Sequence, residues 1–238
     1  MTTDKGRFGI IFDMDGTLFQ TEKVAVPAFH RTFQRLNEEG LYTGERPDDS
    51  QVQSVFGMTQ ADIWENLLPG SSDSVKEQAD RWWLEDELDC LKEEMGALYP
   101  GVEETLRELD GRGWRLFVAS NGLGPYIRGV IRTFSLEDLI EEGYSAGEHA
   151  IGEKDRLVGK LMKEQGIDSG YMVGDRSSDV RAGKANGLTV IGCRYAGFPQ
   201  FGEGDELTGA DGVIDAFPQL LEIVGSPRKY DKAIPDLR

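Results

Sequence analysis

Phe8-Gly9-Ile10-Ile11-Phe12-Asp13-Met14-Asp15-Gly16-Thr17 opens as a compact apolar run and breaks off at an acid. Such a run, without polar alternation, reads as a strand buried on both faces. Residues 115–119, 171–173 and 188–191 repeat the pattern, and the shorter run 212–214 is expected at a sheet edge. Helical stretches separate them. Residues 102–109 follow Pro100-Gly101 and stop at Asp110-Gly111. Residues 125–134 begin with Pro125, whose missing N–H costs nothing in a first turn. Residues 155–165 stop at Gly166 and residues 178–185 at Asn186-Gly187, all tolerant of a left-handed cap. Buried strands alternating with helices predict an α/β fold, a Rossmann-like doubly wound parallel sheet covered by helices.

From about Glu22 to Gly96 the pattern changes, and strand signals are almost absent. Val26, Phe29, Phe33 and Leu36 recur at helical spacing, as do Leu84, Leu88, Leu91 and Met95 beside Trp82 and Trp83. Such a stripe is core-packing material. Residues 44–54, with Pro47, read as a loop-rich stretch. The segment is expected to be an inserted α-helical cap domain, so that residues 1–20 and 97–238 build the α/β core and residues 21–96 the cap. The tail from Gly225 has little apolar content and is expected to run over the surface or be disordered.

The chain has 238 residues, with Lys+Arg 26 against Asp+Glu 43 and a formal net charge of −17. Hydrophobic residues make up 39%, enough for a real core, which excludes wholesale disorder. So negative a surface argues against nucleic acid and against anionic membranes as partners. No stretch approaches the ~18 apolar residues that a membrane span needs. Residues 1–7 are polar and lead straight into the first strand, with no signal-peptide pattern, and a cytoplasmic protein is expected. Cys90 and Cys193 make neither a disulfide framework nor a zinc site and read as ordinary reduced thiols. His30 and His149 have no partner at ligand spacing and read as structural or solvated.

The chemistry concentrates where strands end, which is where an open parallel sheet binds its ligands. Asp13 and Asp15 follow the first strand and can share one pocket; Gly16 lets the backbone turn and approach an anion. Taken alone, Asp-x-Asp-Gly reads equally well as a turn with solvated acids. Ser120-Asn121-Gly122 ends the second core strand with a hydroxyl and backbone amides. Gly174-Asp175-Arg176-Ser177-Ser178-Asp179 ends the third with two more carboxylates. Lys154 opens the helix before that strand, with Lys160 and Lys163 further along it. The Gly-rich residues 197–204 either border the same edge or form a plain surface loop.

Together FDMDGT (12–17), ASNG (119–122), the lysine of GEKD (152–155) and VGDRSSD (173–179) resemble the motif set of the haloacid dehalogenase superfamily. The likeness is greatest to its phosphoglycolate-phosphatase-like branch with an α-helical cap, and it spans the whole chain. It implies a Mg²⁺-dependent phosphatase acting on a small phosphorylated metabolite. Asp13 would be the nucleophile, a carboxylate already ionised at neutral pH that forms an aspartyl-phosphate. Asp15 would be the general acid and base, protonating the leaving alkoxide and then taking a proton from the attacking water. A dianionic phosphate does not approach carboxylates unaided, since two unit charges at 4 Å interact by ~4 kcal/mol at an effective dielectric of 20. Mg²⁺ would offset this, held by the Asp13 and Asp175 carboxylates and the Asp15 carbonyl, with Asp179 behind them or on a metal-bound water. Gly16, Ser120, Asn121 and Lys154 would hold the phosphoryl group, and Lys154 would also restrain Asp13.

Sister activities separate on single residues. Haloacid dehalogenases and phosphonoacetaldehyde hydrolases lack the second aspartate, present here as Asp15; the latter also need a cap lysine, and Lys23 is not persuasive for that role. A β-phosphoglucomutase-like mutase shares the acid pair and stays open as an alternative. So does, in another class, a phospho-acceptor module that is labelled without turnover, although receiver modules are shorter and lack a cap. The sequence leaves the substrate open among phosphoglycolate, sugar phosphates, nucleotides and pyrophosphate, and it leaves the oligomeric state open. Leaving-group contacts are expected on cap loops around Gly57-Met58-Thr59.

Overall fold

The computed structural model describes residues 7–56, 58–196 and 205–227. The strands β1 (Phe8–Phe12), β2 (Arg115–Ser120), β3 (Ile140–Ser145), β4 (Ser169–Gly174), β5 (Thr189–Cys193) and β6 (Gly212–Ile214) form one sheet in the order β3-β2-β1-β4-β5-β6. Every pairing is parallel. The chain winds outward from β1 to β3, returns to β4 beside β1, and winds the other way. That reversal opens a crevice beyond the carboxyl ends of β1 and β4, where Phe12 pairs with Val173.

Side chains alternate across the sheet. Ile10 and Phe12 pack with Leu116, Val118, Tyr171 and Val173 on one face; Ile11, Phe117, Met172 and Val190 pack on the other. The first face is covered by α5 (Val102–Gly111), α6 (Gly124–Thr133) and α9 (Leu220–Ile223), the second by α7 (Lys154–Gln165) and α8 (Ser177–Ala185). Burial of both faces is why these strands are continuous apolar runs. The expected strands and core helices are present with slightly shifted ends, and α7 stops at Gly166 with φ 67°. Strand β3 was not expected. It is an edge strand whose exposed Glu141 and Glu142 interrupt the apolar pattern.

Between β1 and α5 lie α1 (Glu22–Glu38), α2 (Asp49–Ser54), α3 (Gln60–Leu67) and α4 (Asp73–Lys92). They pack a cluster of their own around Phe29, Phe33, Leu36, Val52, Ile63 and Trp64. Two local expectations need correction. Residues 49–54 are helix rather than loop, because Asp48 accepts the Gln51 N–H at 2.9 Å while the Gln51 side chain accepts the Asp48 N–H at 2.9 Å. Met95 does not continue the α4 stripe; the helix has ended at Lys92 and Met95 is exposed. Leu84, Leu88 and Leu91 pack instead against the sheet-side cluster that includes α6.

His30 bonds Asp49 at 2.7 Å, and the His149 ring lies 4.9 Å from that of Tyr144. Cys90 and Cys193 are buried and free. Among the described residues no helix is long and apolar enough to cross a membrane. Gly57, the Gly-rich residues 197–204 and the tail beyond Pro227 lie outside the described residues.

Candidate active site

The β1 ladder runs one step past the strand. The Asp13 N–H donates to the Val173 carbonyl at 2.8 Å, which fixes the Asp13 backbone at the crevice. The chain then wraps the Met14 carbonyl, which accepts from Leu18 at 2.9 Å and Phe19 at 3.0 Å. Gly16 makes this turn at φ 75°, and a Cβ there would run into the Asp175 carboxylate. Across the crevice β4 delivers Asp175, and the first turn of α8 delivers Asp179, whose Oδ2 accepts the Arg176 N–H at 3.0 Å. Lys154, the first residue of α7, is only 4% exposed. Its Nζ lies 2.7 Å from Asp13 Oδ1 and 2.5 Å from Asp179 Oδ1. At the end of β2, buried Ser120 accepts the Gly122 N–H on its Oγ at 3.1 Å. Asp13, Asp15, Ser120, Asn121 and Lys154 line one small cleft with Arg176 and Ser178. Segments far apart in the chain thus meet at one sheet edge.

Residues 10–193 match the family model described as haloacid dehalogenase-like hydrolase. The chain belongs to that family. A phosphoglycolate phosphatase from Colwellia psychrerythraea is 26% identical over 225 residues, covering 89% of this chain and 94% of that one. A 5'-nucleotidase from Pseudomonas aeruginosa is 25% identical over 201 residues, covering 83% of this chain and 86% of that one. Among solved structures, CbbY from Rhodobacter sphaeroides in complex with phosphate matches with a TM-score of 0.74 at 23% identity, over 91% of this chain and 97% of that one. That last likeness is one of fold. Within the family the chain falls in the phosphoglycolate-phosphatase-like branch.

In this hydrolase the buried charges at the sheet edge do not balance. One oxygen each from Asp13, Asp175 and Asp179 lies within 4.8 Å of the others, and all three residues are buried. The Lys154 ammonium bridges two of them, Asp13 and Asp179. Burial raises the Asp175 carboxyl well above its usual range, with repulsion from Asp13 and Asp179 adding to it. Burial also lifts Asp179 to about 6 and raises Asp13, although Lys154 pulls both down. For Lys154 burial works against the charge, but Asp13 and Asp179 outweigh it and keep the ammonium protonated. Excess buried negative charge on an all-oxygen donor set fits a divalent cation.

The Asp15 carboxylate is not part of that set. Its Oδ1 accepts from Thr21 Oγ1 at 2.8 Å and from the Tyr126 hydroxyl at 2.7 Å, and its carboxylate lies outside the group formed by Asp13, Asp175 and Asp179. Burial raises the Asp15 carboxyl, with the Tyr126 and Thr21 hydrogen bonds opposing the shift. The Gly16 N–H already donates to the Phe19 carbonyl at 3.1 Å, so Gly16 supplies the turn and the clearance rather than an amide donor for phosphate. Lys160 pairs with Glu164, Lys163 is exposed, and so is Lys23 on α1. Lys154 is the lysine of α7 that the fold brings to the acids.

A second cleft opens beside Asp15, between the helices α1, α3 and α4 and the loop after β2. Met58 lines it, whereas Thr59 caps α3 by accepting the Asp62 N–H at 3.4 Å. Sequence reasoning missed Thr21, Tyr126 and Glu87 at this site and took Trp83 as core packing alone. Glu87 carried a signal. It falls on the buried stripe of α4, three residues after Leu84, where the period calls for an apolar side chain. It is 4% exposed, and burial, with repulsion from Asp15 and Asp80 added, raises its carboxyl well above the usual range.

Proposed function

We propose that this hydrolase is a Mg²⁺-dependent phosphatase that cleaves a small phosphomonoester through an aspartyl-phosphate on Asp13. In this reading residues 21–96 act as a cap over a core of residues 1–20 and 97–238, and the enzyme works in the cytoplasm. One observation carries the proposal: the acids divide their labour. Lys154 pins Asp13 at Oδ1 inside the cluster, while Asp15 turns away to Tyr126 and Thr21. Names of relatives, a phosphoglycolate phosphatase and a 5'-nucleotidase, support a monoester substrate.

Asp13 attacks phosphorus with a carboxylate oxygen, the bond from phosphorus to the leaving oxygen breaks, and that oxygen takes the proton of Asp15. The hydrogen bonds from Tyr126 and Thr21 fall on Oδ1, which leaves Oδ2 as the oxygen to carry the transferable proton. Water then attacks phosphorus, its proton passes to Asp15, and the bond to Asp13 breaks to release phosphate. Lys154 offsets charge on the phosphoryl oxygens, and Ser120 and Asn121 orient them. The Asp13 and Asp175 carboxylates, the Asp15 carbonyl and Asp179 would hold Mg²⁺. When bound, the ion supplies the positive charge that lets a dianion enter a carboxylate-lined cleft.

Purified protein should release phosphate from p-nitrophenyl phosphate over many turnovers with Mg²⁺. Chelation should stop the release, and added Mg²⁺ should restore it. A chain that takes up one phosphate and then stalls is a phospho-acceptor, which refutes the reading. Release that survives chelation refutes the metal assignment.

A further inference from the structure

The cleft beside Asp15 is built from unlike parts. Its lining is mostly apolar and includes Phe56, Ile63 and Leu123. Two carboxyl groups face it, those of Asp15 and Glu87. Among the described residues that line it there is no lysine, arginine or histidine. Two of the lining residues also hold buried donors that find no acceptor among the described residues: Trp83 Nε1 and Gln60 Nε2. The Trp83 orphan is not a loose rotamer. The indole stacks on Phe29 at 4.6 Å and 22° and meets Trp64 edge-on at 5.9 Å, so its N–H is held in place.

A leaving group seated here must suit these parts. A carboxylate in this cleft would be buried among apolar side chains, with no lysine, arginine or histidine among the described lining residues to balance it, the least favourable way to bury a charge. A neutral group with an acceptor would satisfy the stranded indole or amide N–H and cover the apolar wall. The leaving oxygen itself lies toward Asp15, so the same cleft takes whatever is attached to it.

We infer that this site selects phosphomonoesters whose leaving group is uncharged, presents an apolar face and offers a hydrogen-bond acceptor, and that it rejects carboxylated leaving groups such as glycolate. The inference rests on the phosphatase reading above. Trp83 and Gln60 supply the acceptor preference; the apolar lining, with no cation among its described residues, supplies the discrimination against anions. This separates the chain from the activity named for its phosphoglycolate phosphatase relative.

The test uses the full chain with Mg²⁺ and benzyl phosphates that differ only at the para position: hydrogen, carbamoyl or carboxylate. The carbamoyl ester should exceed the carboxylate ester in kcat/KM by at least about tenfold, with the unsubstituted ester between them. 2-Phosphoglycolate should rank below 2-hydroxyethyl phosphate for the same reason. Trp83→Phe keeps the ring and removes the donor, and it should lower the carbamoyl-to-hydrogen ratio several-fold, chiefly through KM. Met58→Lys, which brings a cation to an exposed position of the lining, should raise the carboxylate-to-hydrogen ratio. A carboxylate ester cleaved as well as the carbamoyl ester, or ratios that neither variant moves, overturns the inference while leaving phosphatase activity standing. Failure of wild-type protein on every ester, p-nitrophenyl phosphate included, overturns the phosphatase reading and this inference with it.

Discussion

Asp13→Asn should abolish phosphate release, by roughly 10⁴-fold or more, and should leave the protein folded. The amide is nearly the same size as the carboxylate and retains an oxygen for Lys154, but it is no nucleophile toward phosphorus. The expected melting behaviour is specific. In the metal-free protein the buried carboxyls have raised pKa values, so their ionisation opposes folding. The stability linked to them is present below the ordinary carboxylate pKa near 4 and is lost as pH rises through the raised values, about 6 for Asp179. Removing the Asp13 charge relieves part of that loss. With chelator at pH 7 the variant should therefore melt at or above the wild-type temperature, and the difference should shrink toward pH 4, where the wild-type acids are protonated too. A variant that is inactive because it melts far below the wild type would make Asp13 a structural residue and remove it from the chemistry.

Much of this architecture was legible because burial leaves a mark on composition. Strands covered on both faces have nowhere to place polar side chains, so β1, β2 and β4 stand out as apolar runs that end at acids or a serine. β3 was hidden for the converse reason: at the sheet edge Glu141 and Glu142 are solvated. The convergence of Asp13, Ser120, Lys154, Asp175 and Asp179 follows from parallel strands, which bring all their carboxyl ends to one edge. The surroundings of Asp15 did not follow. Tyr126 sits on α6 among core residues, and only the packing of that helix against Phe19 and β1 turns its hydroxyl toward the acid. Glu87 is the intermediate case, an acid on an apolar stripe whose position is readable and whose neighbours are not. The anion end of the site is thus written in local motifs, while the end that recognises the leaving group depends on how α4 meets α6, a contact between residues some forty apart, as in Gly129 against Leu88 and Leu91.

Asp15→Asn should slow both formation and breakdown of the aspartyl-phosphate, each by about 10²–10⁴-fold, with little change in affinity. Asparagine keeps an oxygen that accepts from Tyr126 and Thr21, so the local geometry is retained and only the transferable proton is lost. The two steps separate in rapid-quench experiments that follow labelled protein and free phosphate. The leaving group gives an internal control. An alkoxide needs the proton as its bond to phosphorus breaks, whereas p-nitrophenolate departs without one, so the variant should lose more of its phosphorylation rate on an alkyl phosphate than on p-nitrophenyl phosphate. The pH profile points the same way. Burial keeps the Asp15 carboxyl protonated above the usual carboxylate range, so kcat/KM for an alkyl phosphate in the wild type should fall as pH rises through that raised value. Tyr126→Phe removes a hydrogen bond that favours the ionised form and should move the falling limb to higher pH. In Asp15→Asn the limb should disappear. Equal losses on alkyl and aryl esters, with the limb intact and only KM altered, would make Asp15 a binding residue, and the proton would have to come from elsewhere.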